Sequence, residues 1–265
     1  MRSEMLTLAL AQMDVPQGRS EENLARARGF AREAQGAEAD MLLLPELWLH
    51  GYDLEHAEDW ASPLGEGGFA EMAKMAREFD LHVAGSTLER HQGGISNTAV
   101  LYNPGGELLG SYRKMHLFRL MEEHRFLTAG DHATLCETPW GLTGLGICYD
   151  LRFPELFRTM ALAGAKLFLI PAQWPVKRVE AWLLLARARA VENELVVAAC
   201  NRVGADKDVS FPGRSIVVDP WGNALLEGDE REGLLVAEAD LREIEKARRY
   251  LTVYADRRPS AYVVA

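Results

Sequence analysis

Met41-Leu42-Leu43-Leu44-Pro45-Glu46 decides how the chain is layered. Four large apolar residues in a row do not alternate, so the segment reads as a strand buried on both faces. Proline has no N–H for a strand ladder, so the strand stops at Pro45 and Glu46 stands at its carboxyl end. A strand of this kind needs a covering layer on each side, which predicts an α/β fold. Upstream, Leu6, Leu8 and Leu10 alternate with Thr7, Ala9 and Ala11, a strand with one large-residue and one small-residue face. Ser20 offers an N-cap, Glu21 and Glu22 suit a first helical turn, and Leu24, Ala27, Phe30, Ala31 and Ala34 form an apolar stripe.

Downstream, a helix is predicted over 69–79 and strands near 81–87 and 96–102. Asn103-Pro104-Gly105-Gly106 turns the last of these into a hairpin with 107–112. Residues 114–134 lack a period and read as a long loop with one helical turn, the kind of irregular segment that carries function. The second half repeats the plan. Strands are predicted at 142–148, 166–170 and 195–200, and helices at 154–164 and 179–191. A hairpin turns at Asp219-Pro220-Trp221-Gly222-Asn223, and a last helix starts at Asp240. Two similar βα layers in one domain, residues 1–265, follow from this pattern. The tail, 251–265, is irregular yet carries Val253, Tyr254, Tyr262, Val263 and Val264, so it is expected to pack on a partner subunit.

The chain has 265 residues, 48% hydrophobic content and a net charge of −10, enough apolar material for a sizeable core. No run of Lys and Arg exceeds a pair, which argues against a nucleic-acid partner. Cys136, Cys148 and Cys200 are too few and too odd in number for a disulfide framework, and fit a reducing compartment. No apolar stretch is long enough to span a bilayer, so a cytoplasmic protein without membrane partners is expected.

Three polar residues occupy positions suited to chemistry. Glu46 and Cys148 stand at the carboxyl ends of predicted strands, where α/β proteins build their sites. Lys114 follows the hairpin and heads the long loop. Singly, each has an ordinary reading: solvated loop residues for the first and last, a small core residue for the cysteine. Cys136 and Cys200, beside apolar neighbours, are assigned to the core. There is no His-Glu-x-x-His, no Gly-x-Ser-x-Gly and no phosphate-binding loop, so neither metal nor cofactor is expected.

Leu44-Pro45-Glu46, Tyr112-Arg113-Lys114-Met115-His116-Leu117-Phe118 and Gly146-Ile147-Cys148-Tyr149-Asp150-Leu151-Arg152-Phe153-Pro154-Glu155 together resemble the nitrilase superfamily of carbon–nitrogen hydrolases. Pro171-Ala172-Gln173-Trp174-Pro175, Ala188-Arg189-Ala190-Val191-Glu192-Asn193, Asn201-Arg202-Val203-Gly204 and Gly213-Arg214-Ser215-Ile216-Val217-Val218-Asp219-Pro220 extend the resemblance over nearly the whole chain. The resemblance implies a four-layer αββα sandwich that dimerises to an extended αββα-αββα arrangement. It places a catalytic triad on Glu46, Lys114 and Cys148, a second glutamate on Glu123, and an oxyanion donor on the backbone N–H of Tyr149. Tyr149 to Pro154 and the Pro-Ala-Gln-Trp-Pro segment look like the ω-amidase branch, which hydrolyses 2-oxoglutaramate and 2-oxosuccinamate. That branch usually has Asn where Gln173 stands. Its substrate carries a carboxylate, which needs a cation: Arg152 and Arg178 are candidates, with Phe118 and Trp174 as walls. Arg152 has the alternative of pairing with Asp150. The wider alternatives are an aliphatic amidase, a nitrilase, an N-carbamoyl amino acid hydrolase, or an inactive binding homologue.

Overall fold

The computed structural model describes residues 4–206 and 209–262; Val263 and Val264 of the tail lie outside them. In chain order the first half runs β1 (Met5–Gln12), α1 (Ser20–Gly36), β2 (Met41–Leu43), α2 (Ala57–Trp60), α3 (Gly67–Phe79), β3 (His82–His91), β4 (Gly94–Tyr102) and β5 (Leu108–Arg113). Next come β6 (Leu135–Thr138), β7 (Gly141–Leu145), α4 (Pro154–Leu162), β8 (Ala165–Ala172), α5 (Val179–Asn193) and β9 (Val196–Asn201). The chain finishes with β10 (Val203–Asp206), β11 (Val209–Pro212), β12 (Ile216–Val218), β13 (Ala224–Glu227), β14 (Gly233–Asp240) and α6 (Arg242–Tyr250).

Two six-stranded sheets result, in the orders β14-β1-β2-β3-β4-β5 and β13-β12-β9-β8-β7-β6. Each has three parallel strands at its centre, β1, β2 and β3 in one and β7, β8 and β9 in the other. Antiparallel strands flank each trio. The two halves therefore share one plan, as their sequences predict.

The layering follows from side-chain alternation along the strands. Leu6, Leu8 and Leu10 of β1, Met41 and Leu43 of β2, and Ala99 and Leu101 of β4 join one core with Phe168, Ile170, Val197 and Ala199 of the other sheet. Ala9, Ala11, Leu42, Val83 and Val100 face the other way, against Ala27, Ala31 and Ala34 of α1 and Phe69, Met72 and Met75 of α3. Leu156, Phe157 and Met160 of α4 and Trp182 and Ala186 of α5 cover the second sheet. The order is thus helices, sheet, sheet, helices. Each large apolar side chain so buried contributes about 1.5–3 kcal/mol.

Two local expectations change. Ser20 lies inside α1 and its hydroxyl bonds His50 Nδ1 at 2.7 Å, while the cap position falls on Arg19 without a side-chain bond. β7 ends at Leu145, short of the predicted strand end, because the Ile147 N–H turns to the Asp150 carboxylate at 2.9 Å. Of the tail, Tyr254 packs against its own chain, between the guanidiniums of Arg158 and Arg248, whereas Tyr262 is 65% exposed.

Candidate functional site

Glu46 lies three residues past β2, and the next residue, Leu47, has φ +46. That left-handed conformation is unusual for a β-branched-free but bulky residue and is held by the Ser86 hydroxyl, which accepts the Leu47 N–H at 3.0 Å. Lys114 directly follows β5, and its N–H still pairs with the Asn97 carbonyl at 2.9 Å. Successive residues on a strand face opposite ways. Arg113 accordingly leaves on one side to bind Glu89 at 2.8 and 2.6 Å, and Lys114 turns to the other, into the interior.

There the Lys114 ammonium, fully buried, lies between two fully buried carboxylates, 2.7 Å from Glu46 Oε1 and 2.6 Å from Glu123 Oε1. Each carboxylate has further donors. Asn97 Nδ2 and the Gln173 backbone N–H reach Glu46 Oε1 and Oε2 at 2.8 and 2.9 Å. The Tyr52 hydroxyl donates to Glu123 Oε1 at 2.7 Å and the Phe118 N–H to Glu123 Oε2 at 2.7 Å. Burial works against the Lys114 charge, but Glu123 and Glu46 outweigh it and hold the ammonium pKa above the usual lysine range. Sequence alone leaves Glu122 beside Glu123. The structure separates them: Glu123 is buried in the cluster, and Glu122 is exposed on Arg125.

Cys148 opens a 3₁₀ turn, Cys148–Arg152, with φ +44. A non-glycine residue in this region carries strain of order 1–3 kcal/mol. Asp150 over-determines the turn: its Oδ2 accepts from Ile147 N–H at 2.9 Å and from the Tyr112 hydroxyl at 2.9 Å, and its Oδ1 lies 2.7 Å from His116 Nδ1. Behind the turn, a Cβ on Gly146 would stand 2.9 Å from the Phe157 ring, so glycine is needed for close approach. The thiol lies within electrostatic reach of Glu46, Lys114 and Glu123. Burial and the Glu46 charge raise its pKa, Lys114 and the Gln173 N–H oppose them, and the net shift is well above the ordinary thiol range. The two carboxylates and burial thus favour the protonated sulfur over the thiolate.

Cys148 lines a narrow cavity with Phe118, Tyr149, Arg152, Gln173, Trp174, Pro175 and Arg178. All four residues singled out for the substrate, Arg152, Trp174, Phe118 and Arg178, therefore line the same cavity as Cys148. Arg152 lies over the Trp174 ring at 5.1 Å and Arg178 over Phe118 at 5.7 Å. Among the described residues neither guanidinium has a carboxylate partner; Asp150 is taken up by Tyr112, Ile147 and His116, so the alternative Arg152–Asp150 pair does not form. A wider chamber of about 370 Å³, lined by Leu120, Met121, Val176 and Lys177, leads on from Phe118, Pro175 and Arg178.

The carbon-nitrogen hydrolase family profile matches residues 7–249. The chain belongs to the carbon–nitrogen hydrolase family. This hydrolase is 40% identical over 258 residues to a 2-oxoglutaramate amidase of Bacillus subtilis (strain 168), covering 97% of this chain and 99% of that one. It is 32% identical to the omega-amidase NIT2 of Homo sapiens, over 97% and 96% of the two chains. Among solved structures, Saccharomyces cerevisiae Nit3, a member of branch 10 of the nitrilase superfamily, superposes with a TM-score of 0.89 at 30% identity over 97% of both chains. A glutamate-to-glutamine mutant of the amidase from Nesterenkonia sp. AN1, which shows the result of Michael addition of acrylamide at the active site cysteine, gives a TM-score of 0.82 at 28% identity, over 93% of this chain and 100% of that one.

Sequence reasoning did not assign Tyr52, Asn97 or Gln173 to the cluster. Asn97 had a signal: Ser96-Asn97-Thr98 is a polar trio on a strand that continues as Ala99-Val100-Leu101. Along the inward row Leu101, Ala99, Asn97, the amide replaces a core residue where the row reaches Glu46. Tyr52 had no comparable signal.

Proposed function

We propose that the protein is an ω-amidase that hydrolyses the amide of 2-oxoglutaramate, with Cys148 as nucleophile, Glu46 as proton carrier and Lys114 as electrostatic support. The observation that carries this reading is the buried Lys114, held by Glu46 and Glu123 within electrostatic reach of Cys148, which stands on a left-handed turn at the floor of a cavity. Glu46 Oε1 already accepts from Lys114 and Asn97, whereas Oε2 accepts only from the Gln173 N–H and keeps capacity for a thiol proton.

When substrate fills the cavity, the thiol proton passes to Glu46 and sulfur bonds to the amide carbon. The carbonyl oxygen becomes negative and is received by the Lys114 ammonium and the Tyr149 backbone N–H. One such donor is worth about 10²–10³ in rate. Glu46 returns the proton to nitrogen, the C–N bond breaks and ammonia leaves a thioester on Cys148. Glu46 then takes a proton from water, hydroxide adds to the thioester carbon, and the acid departs as the thiol re-forms. Glu123 holds the ammonium in place. The Michael adduct at the active site cysteine of the Nesterenkonia amidase supports a nucleophilic cysteine, and the names of the Bacillus and human relatives support amide hydrolysis.

Arg152 and Arg178 take the substrate carboxylate, leaving aromatic faces for a charged partner. The enzyme works in the cytoplasm as a homodimer. Leu184 and Val191 of α5, with Trp221 and Tyr250 nearby, are exposed apolar side chains suited to a second copy. The test is ammonia release from 2-oxoglutaramate and propionamide. The keto acid amide is expected to turn over much faster, and the reverse ranking rejects the ω-amidase assignment while leaving C–N hydrolysis in place.

A further inference from the structure

Arg202 is fully buried, directly after β9, yet it is not part of the Glu46–Lys114–Glu123 cluster. Each of its three nitrogens donates a hydrogen bond. Nη2 bonds Asp14 at 2.6 Å, Nη1 bonds Asp206 and also Gln173 Oε1 at 3.0 Å, and Nε bonds the Val203 carbonyl at 3.0 Å. The Phe211 ring packs on the guanidinium plane, 4.4 Å away. Gln173, also fully buried, continues the chain of bonds: its Nε2 donates to the Glu46 carbonyl at 2.7 Å, and its backbone N–H donates to Glu46 Oε2 at 2.9 Å.

The direction of this chain is fixed by chemistry. A guanidinium has only donors and a carbonyl only acceptors, so the amide must turn its oxygen to Arg202 and its nitrogen to Glu46. A flipped amide places two donors and two acceptors face to face. Residue 46 is thereby gripped at its main chain by a side chain and at its carboxylate by a main chain, both from residue 173. The left-handed Leu47 that follows makes such an external grip necessary, since a strained turn relaxes unless its surroundings hold it.

We propose that Arg202 and Gln173 are positioning residues for Glu46: the guanidinium orients the Gln173 amide, and the amide sets the place of the Glu46 carboxylate beside Cys148. This rests on Glu46 being the proton carrier. Arg202 acts only through Gln173; the Gln173 backbone N–H faces the Cys148 sulfur as well, so the positioning role is that of the Gln173 side-chain amide, which acts through Glu46. The anchor of the chain, Asp206, belongs to the β10–β11 hairpin, whose Val209 and Ser210 line the outer chamber. The wall of the entrance and the proton carrier are therefore joined by one continuous set of hydrogen bonds.

Gln173→Met is the sharpest test, because it keeps side-chain length and the backbone N–H and leaves Arg202 its two aspartates. Loss of the amide bonds is expected to lower kcat about tenfold, with KM for 2-oxoglutaramate within about twofold of the parent. The pH profile of Cys148 alkylation by iodoacetamide is expected to shift, since it reads how Glu46 receives the thiol proton. Gln173→Asn keeps an amide and is expected to recover part of kcat. Arg202→Lys, which loses the planar fork, is expected to move both quantities in the same sense as Gln173→Met. An unchanged kcat and alkylation profile in Gln173→Met overturns the proposal, as does a change confined to KM. If that variant does not fold, Arg202→Lys with unchanged kcat and an unchanged alkylation profile overturns it equally. Glu46→Gln separates the two levels: an active Glu46→Gln removes Glu46 as proton carrier, whereas an inactive one beside a fully active Gln173→Met removes only the positioning role.

Discussion

β2 and β8 are the middle strands of the two parallel trios, and the segments after them meet at the same place. After β2 the chain delivers Glu46, and its half of the molecule also supplies Lys114, Glu123, Tyr52 and Asn97. After β8 the chain delivers Gln173, and its half supplies Cys148 and the cavity walls Tyr149, Arg152, Trp174 and Arg178. One plan has thus been used twice, with charge concentrated in the first half and sulfur, aromatic rings and unpaired guanidiniums in the second. The division has a physical logic. Buried charges are costly unless each is paired and hydrogen-bonded, and an assembly of three is most cheaply satisfied within one sheet and its loops. Burial and the Glu46 charge raise the Cys148 pKa, so the second half is not required to bury another charge beside these three.

The comparison predicts that damage to the two halves differs in kind. Cys148→Ala is expected to reduce turnover by at least about 10⁴-fold while leaving the thermal midpoint little changed, and Cys136→Ala and Cys200→Ala are expected to remain active. Ammonia release and a melting curve on the three variants check this. Lys114→Met is expected to lose both activity and stability. It leaves Glu46 and Glu123 buried without their shared cation, at a cost of about 3–5 kcal/mol, to be measured by urea unfolding. Equal stability of Lys114→Met and the parent contradicts the account of the first half.

A smaller effect is expected at the cavity wall. Arg178→Met and Arg152→Met are expected to raise KM for 2-oxoglutaramate about 10–100-fold without changing that for propionamide, which has no carboxylate. Steady-state kinetics on both substrates give the answer, and a parallel loss on both removes the guanidiniums from carboxylate binding. The smallest effect concerns pH. Burial pushes the Cys136 thiol up to about 12, and burial also raises Cys200. Below about pH 8.5 these thiols are protonated in the folded and unfolded chain alike. Above it the unfolded chain ionises and the folded chain does not, so stability falls as pH rises towards about 12 for Cys136. Melting curves between pH 8 and 10 should show the parent losing more stability than Cys136→Ala.

Much of this was legible beforehand because apolar pattern and turn chemistry are local. Met41 to Leu44 gave a buried strand, and Asn103-Pro104-Gly105-Gly106 gave the β4–β5 turn. What failed to show depends on partners far along the chain. The Ile147 N–H leaves its ladder for Asp150, which no apolar count detects, so the sequence pattern extends the strand to Cys148 while β7 ends at Leu145. β10 and β11 are four residues each and rest on the Arg202 side chain and Phe211, not on a pattern of their own. At the site, family-like motifs placed Glu46, Lys114, Cys148 and Glu123. Asn97 has a signal in its polar trio, whereas Tyr52 meets Glu123 across a long sequence separation and Gln173 meets Glu46 across the two sheets, contacts that no local pattern reports.

The central claim is that the first half's charges activate the second half's sulfur to form a covalent acyl intermediate. Acid-quenching the enzyme during turnover of 2-oxoglutaramate, followed by peptide mass spectrometry, tests it most directly. The account predicts an acyl adduct, substrate less ammonia, on the peptide carrying Cys148, absent in Cys148→Ala. Turnover persisting in Cys148→Ala, or an adduct carried by another residue, contradicts it.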